Sequence, residues 1–237
     1  MTEKLFLNLE ENYKIITEKI EKSAYKSGAN PKDITFLAAT KTVEPVFINH
    51  AISLGLNSIG ENKVQELLSK YDSLNLENCD CQFIGKLQSN KIKFLTDKVS
   101  QIQSIDSMSQ VKELSKQMSK TSKCMNVLIE VNIGNEKNKG GVSPENLWEF
   151  IDEASGYSGL KVNGLMTIPP ICDENGSNCK YFLKMHQYFI DIRDKKKDNI
   201  SMNILSMGMS DDFEEAIANG ANMVRVGSAL FGNRIYI

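Results

Sequence analysis

The sequence predicts an α/β fold, a (β/α)8 TIM barrel preceded by one extra N-terminal helix. Three observations carry that expectation. Short apolar runs alternate with helical periods from Ile34 onward, eight times in succession. The runs are too apolar to face water, which implies parallel strands covered by helices. The length of 237 residues is close to the roughly 250 that such a barrel takes. An open doubly wound sheet is the alternative topology. No low-complexity tract or Pro/Gly-rich linker divides residues 1–237, which read as a single domain.

Each element has its own signal. Leu5, Leu9, Tyr13, Ile16, Ile20 and Ala24 recur every three or four residues as the stripe of an amphipathic helix, which ends near Gly28 with Pro31 just beyond. Ile34 to Ala39 reads as the first strand, and a helix follows with Pro45 in its first turn and Gly55 at its end. Asn57 to Gly60 is a short second strand before a helix through Val64, Leu67 and Leu68. Gln82 to Gly85 is the third, with a helix expected over Leu87 to Lys98. Gln101 to Ile105 is the fourth; Ser107 and Gln110 then form a capping-box signature before Val111, Leu114 and Met118. Asn126 to Val131 is the clearest strand, and Ser143-Pro144 supplies an N-cap and first-turn proline for a helix through Leu147, Phe150, Ile151 and Ala154. Val162 to Met166 is the sixth strand, with Tyr181, Met185, Phe189 and Ile192 marking its helix. Ile204 to Met207 and Met223 to Val226 complete the set, separated by a helix through Phe213, Ala216 and Ile217.

Composition excludes several classes of function. A formal net charge of −2 provides no electrostatic case for nucleic acid or an anionic membrane surface. No stretch approaches the roughly 20 apolar residues of a membrane span, and Met1 to Glu11 lacks the apolar core of a signal peptide. A cytoplasmic protein is expected, and a monomer. Cys79, Cys81, Cys124, Cys172 and Cys179 form no paired framework, and the CxC of Cys79 and Cys81 has no partner pair at zinc-site spacing. Reduced thiols and no metal site are expected.

In this fold the active site lies where strands end and βα loops begin. Those positions hold Thr40-Lys41, Gly60-Glu61-Asn62, Gly85 to Lys91, Gly208-Met209-Ser210 and Gly227-Ser228. Lys41 ends an apolar strand, where desolvation penalises an ammonium and favours a neutral amine able to attack an aldehyde; a surface lysine is the alternative. Ser210 is placed as N-cap of the seventh helix, and Gly227-Ser228 opens a short final helix. Glycine lets a backbone approach an anion, and unpaired helix N–H groups favour a phosphate; plain turn and cap roles are the alternative. Arg225 alternates with Val224 and Val226, so its side chain faces either the barrel or the helices, as a ligand contact or in a structural ion pair. His50, His186 and Trp148 fall on predicted helices as surface or packing residues, and Asp211-Asp212 suits a helix's first turn.

These rim segments resemble the pyridoxal phosphate homeostasis protein family, whose barrel is similar to the N-terminal domain of alanine racemase. The resemblance rests on Ala38 to Thr42, Ile59 to Glu66, Phe83 to Lys91, Gly164 to Ile168, Leu205 to Asp212 and Val224 to Gly232, in the family's order. It implies a fold-type III barrel that binds pyridoxal 5′-phosphate, with Lys41 as the Schiff-base lysine. By the same resemblance Ser210, Gly227 and Ser228 hold the phosphate, Arg225 faces the pyridine nitrogen, and Asn62, Ser206 and Met166 line the pocket. Lys139 matches a basic position of the family. Gln82 stands where the family often has His, inside a strand, and no effect on the cofactor is expected from it.

The resemblance further implies a carrier that buffers the cofactor and hands it on, with PLP-dependent apoenzymes as its partners and no catalytic residue assigned. Two alternatives stand beside it. One is a PLP enzyme of low specificity, racemase-like; the other is a Schiff-base aldolase whose phosphate site holds a sugar phosphate. A racemase needs acid–base groups on both faces of the cofactor. The seven tyrosines are expected on helices, turns or the tail, and no second domain is expected to supply the opposing one.

Overall fold

A computed structural model describes residues 2–170, 177–195 and 197–232. Eight parallel strands close into a barrel in sequence order: β1 (Thr35–Ala39), β2 (Ser58–Glu61), β3 (Asp80–Phe83), β4 (Gln101–Ile105), β5 (Met125–Glu130), β6 (Leu160–Met166), β7 (Ile200–Ser206) and β8 (Met223–Val226). Closure is direct: β1 pairs with β8 with Leu37 opposite Arg225 and Ala38 opposite Val226. An open sheet would have left both as edges.

The outer layer is α1 (Thr2–Ser27), α2 (Pro45–Ser53), α3 (Val64–Lys70), α4 (Met108–Met118), α5 (Leu147–Ala154), α6 (Cys179–Asp194), α7 (Phe213–Ala218) and α8 (Ser228–Phe231). With only four residues, α8 is too short to cover the β8–β1 seam. The extra helix α1 does so, burying Leu9, Ile16, Ile20 and Ala24 and packing against α7 and α8. Asn12 Nδ2 ties it to Leu230 O at 3.0 Å. Among the described residues no helix is long and apolar enough to cross a membrane.

Three local expectations give way. Leu87 to Lys98 holds a 3₁₀ segment, Ser89–Phe94, where an α-helix was expected. Its buried Ile92 and Leu95 are three residues apart, matching three residues per turn, and no wider apolar stripe stabilises an α-helix there. The fifth helix starts at Leu147 after Asn146, so Ser143 and Pro144 form the turn before it and are not its cap. In α3 the buried face is Val64, Leu67 and Lys70, while Leu68 is exposed.

Inside the barrel, Leu37, Ile84 and Met223 form a small apolar cluster with Ala39 and Ile204. Against them the filling is polar, Gln103 Nε2 reaching Met223 Sδ at 3.1 Å. Gln103 Nε2 and Gln101 Nε2 both donate to Gln82 Oε1, at 2.7 and 3.0 Å, and Gln82 Nε2 donates to Ser58 Oγ at 3.3 Å. The strands are thus tied internally by amide pairs beneath the C-terminal rim.

Candidate functional site

Arg225 faces the barrel interior. It is 5% exposed, and its guanidinium donates from Nη1 to Ser206 Oγ at 2.6 Å and from Nη2 to Thr167 O at 2.7 Å. Ser206 Oγ donates onward to Gln103 Oε1 at 2.7 Å, so Arg225 joins the amide chain that runs to Gln82. The departure at Gln82 is therefore connected to the rim by hydrogen bonds. Burial pulls the Arg225 guanidinium down to about 10, against the pull of Glu130 and Asp212, which leaves it cationic at neutral pH. Among the described residues no carboxylate hydrogen-bonds to it, and its partners are a hydroxyl and a carbonyl.

Residues in register on parallel strands share a face. Glu130, Met166 and Ser206 stand side by side on β5, β6 and β7, which puts Met166 and Glu130 on the same interior face as Ser206. Met166 is fully buried. Glu130 is half-buried at the mouth, and burial with Asp106 nearby pushes its carboxyl up to about 7, opposed by Arg225 and Lys86. Sequence reasoning passed over Glu130. Its signal was the one that marked Lys41, a charged residue closing an apolar strand.

Ser210 differs from its expected role. The N-cap of α7 is Asp212, whose Oδ1 accepts from Met209 N at 2.6 Å. Ser210 Oγ instead reaches across to the start of α8. It accepts from Gly227 N at 3.4 Å and Ala229 N at 3.3 Å, and it pairs with Ser228 Oγ at 3.1 Å. A hydroxyl oxygen thus sits on backbone donors of the kind that bind phosphate oxygens. Gly227 is confined from below: a Cβ there would stand 3.1 Å from Ala39 O. The glycine lets the β8 loop lie against the end of β1.

That contact lays the β8 loop against Ala39, two residues before Lys41. Leu37 and Ala39 belong to the interior cluster, and Lys41 follows them at the same alternation, half-buried beyond the end of β1. Its neighbours are tightly held. Thr40 is fully buried and donates to Glu61 Oε1 at 2.7 Å; Thr42 takes φ 63, a left-handed conformation that costs a β-branched residue on the order of 1–3 kcal/mol. Asn62 is half-buried after β2, where Gly85 packs so closely that a Cβ would meet Asn62 O at 1.9 Å. Lys139 Nζ pairs with Glu136 at 2.5 Å and donates to Pro169 O at 3.3 Å, clipping the β5 loop to the β6 loop.

Other candidates lie elsewhere. His50 pairs with Glu10 at 2.8 Å on the outer layer, and His186 packs against Gly220. Cys79, Cys81 and Cys124 line a cavity of about 370 Å³ at the N-terminal ends of the strands, away from the rim. Burial pushes the Cys79 and Cys81 thiols up to about 11 and about 12. Cys172 falls outside the described residues, and among the described residues no three His, Cys, Asp or Glu side chains cluster to hold a metal.

Comparison with known proteins shows the family and the fold. The alanine racemase N-terminal domain family matches residues 9–234. A pyridoxal phosphate homeostasis protein of Aquifex aeolicus is 41% identical over 230 residues, 97% of this chain and 100% of the relative. This chain belongs to that family. Among solved structures, PipY of Synechococcus elongatus, determined with PLP bound, superposes with a TM-score of 0.78 at 26% identity, covering 90% of this chain and 100% of PipY. Alanine racemase of Streptomyces coelicolor shares the fold at 15% identity and a TM-score of 0.73, over 97% of this chain and 59% of the racemase.

Proposed function

We propose that this family member binds pyridoxal 5′-phosphate at the C-terminal rim of its barrel and serves as a cytoplasmic, monomeric, single-domain carrier of that cofactor. The observation that carries the reading is the junction of β1 with β8. There Ala39, two residues before Lys41, lies against Gly227, which supports a reading in which the Lys41 amine and the backbone N–H groups at the start of α8 serve one ligand. The rim fits the group: Ser210, Gly227 and Ser228 offer donors to a phosphate, and Arg225 offers a cation beneath the mouth. Asn62, Met166 and Ser206 complete the wall.

When bound, pyridoxal 5′-phosphate supplies an aldehyde that condenses with amines and a ring that withdraws electrons. Lys41 is the attachment point. Arg225 keeps its proton at neutral pH and so disfavours a proton on a ring nitrogen facing it. Among the described residues no tyrosine stands at a strand end: Tyr13 and Tyr25 are on α1, Tyr181 and Tyr188 on α6, Tyr71 opens a 3₁₀ segment after α3, and Tyr157 lies in the connection after α5, while Tyr236 lies outside the described residues. Among the described residues the rim thus offers no tyrosine acid–base partner to Lys41, which supports holding and transfer over turnover.

One observation favours a second reading, a slow amino-acid enzyme. Glu130 at the mouth, pushed up to about 7, can hold or release a proton near neutral pH. The deciding experiment measures turnover on a panel of D- and L-amino acids alongside transfer of the cofactor to a PLP-dependent apoenzyme. The carrier reading predicts transfer, and turnover far below the roughly 10 per second of a median enzyme. Turnover near that rate would establish the enzyme instead. A purified protein without the cofactor's visible absorption band, able to cleave a sugar phosphate, would point to an aldolase.

A further inference from the structure

Beside Lys41 lies a buried charged group that the proposed cofactor contacts leave unused. Glu61 closes β2 with no exposure, and Lys70, at the end of α3, is 8% exposed. Lys70 Nζ donates to Glu61 Oε1 at 2.9 Å, to Glu66 Oε1 at 2.6 Å and to Thr40 O at 3.0 Å. Glu61 Oε1 also accepts from Thr40 Oγ1 at 2.7 Å, and Glu66 Oε1 from Thr42 N at 2.5 Å. The residues on both sides of Lys41 are therefore gripped, one through its carbonyl and hydroxyl and the other through its N–H.

Burying two charges, with a third half-buried beside them, is costly unless they are paired and aimed at something. Here the pairing is spent on the backbone around a single lysine. Among the described residues Glu61 Oε2 has no hydrogen-bond partner, so the group is not arranged for its own best pairing. The left-handed Thr42 explains the need. A threonine leaves φ 63 readily unless something over-determines it, and its N–H bond to a carboxylate does so.

We propose that Glu61, Glu66 and Lys70 are positioning residues, a brace that holds the Thr40–Lys41–Thr42 backbone so that the Lys41 amine is presented to the cofactor's aldehyde. The proposal rests on the reading of Lys41 as the attachment point. The brace should therefore matter for a ligand that bonds to Lys41 and not for one that only fills the pocket.

Pyridoxine 5′-phosphate is that control, because it carries a hydroxymethyl group in place of the aldehyde. Affinities for it and for pyridoxal 5′-phosphate would be measured on full-length protein and variants, with cofactor-free thermal denaturation to confirm folding. Lys41→Ala should erase the preference for the aldehyde ligand; a variant that keeps the preference overturns the lysine assignment and the brace with it. If Lys41→Ala does erase it, the brace stands or falls separately. Glu66→Ala should weaken pyridoxal 5′-phosphate about tenfold, or 1.4 kcal/mol, and leave pyridoxine 5′-phosphate within about twofold. Glu66→Gln, which keeps an acceptor for Thr42 N, should recover most of the loss, as should Thr42→Gly added to Glu66→Ala, since glycine adopts positive φ freely. Thr42→Pro has neither the N–H nor access to φ 63, and it provides the same test at an exposed site if Glu66→Ala does not fold. An unchanged preference in Glu66→Ala or Thr42→Pro, or equal losses for both ligands, would overturn the brace.

Discussion

Arg225 and Ser206 meet inside the barrel at 2.6 Å, and the serine hydroxyl that accepts from the guanidinium passes its own proton toward Gln103 at 2.7 Å. A charge at the base of the mouth is thereby anchored to amides deeper in the barrel. Ser206→Ala should leave both Arg225 Nη1 and Gln103 Oε1 short of a partner at a site where Ser206 and Gln103 are fully buried and Arg225 nearly so. The expected cost is about 2–3 kcal/mol, read as a lower urea midpoint at unchanged m value. A loss under about 0.5 kcal/mol would mean that the chain does not anchor the arginine.

The turn at the start of α8 leads to a prediction about the phosphate. Ser210→Ala removes the hydroxyl that Gly227, Ser228 and Ala229 share. Binding of pyridoxal 5′-phosphate should fall about tenfold, while pyridoxal, without the phosphate, should change by less than about twofold. Comparable losses for both would place the phosphate elsewhere. A bulky residue at Gly227 is a poorer probe, because its Cβ would press on Ala39 O at 3.1 Å and disturb the strand that carries Lys41.

Glu130 makes stability depend on pH. Its carboxyl titrates at about 7 in the folded chain against 4.5 ordinarily. The folded state therefore holds the proton more tightly than the unfolded one. The associated stability is present in full below about 4.5 and is lost as pH rises through about 7, amounting to about 3 kcal/mol at most at 1.4 kcal/mol per unit. Glu130→Gln should flatten that decline in cofactor-free protein between pH 5 and pH 8. Parallel stability curves for parent and variant would show that Glu130 titrates normally.

Much of this architecture was legible in the chain, for a physical reason. A parallel barrel buries both faces of its strands, and the runs from Gln101 to Ile105 and from Met223 to Val226 coincide with β4 and β8 to the residue. Lys41 stood out as a charged residue closing an apolar strand, which is a local signal, while alternation left Arg225 facing either the barrel or the helices until its bonds to Ser206 and Thr167 settled it. What escaped was contact across elements. Ser210 read as a cap for the next helix in sequence, but barrel closure hands its hydroxyl to α8. Glu66 and Lys70 look like any surface i,i+4 pair, and only the fold shows Lys70 turned inward to Glu61 and Thr40. Gln82 sits in a strand, and its link to Arg225 runs through Gln103 and Ser206 on two other strands.

The central claim is that the rim holds pyridoxal 5′-phosphate on Lys41, and one measurement addresses it directly. Protein loaded with the cofactor would be reduced with borohydride, digested and mapped by mass spectrometry. The pyridoxyl group is expected on the peptide containing Lys41 at near one per chain, and Lys41→Ala should remove it. Label found mainly on Lys86, Lys91 or Lys139, with Lys41 unmodified, would contradict the account.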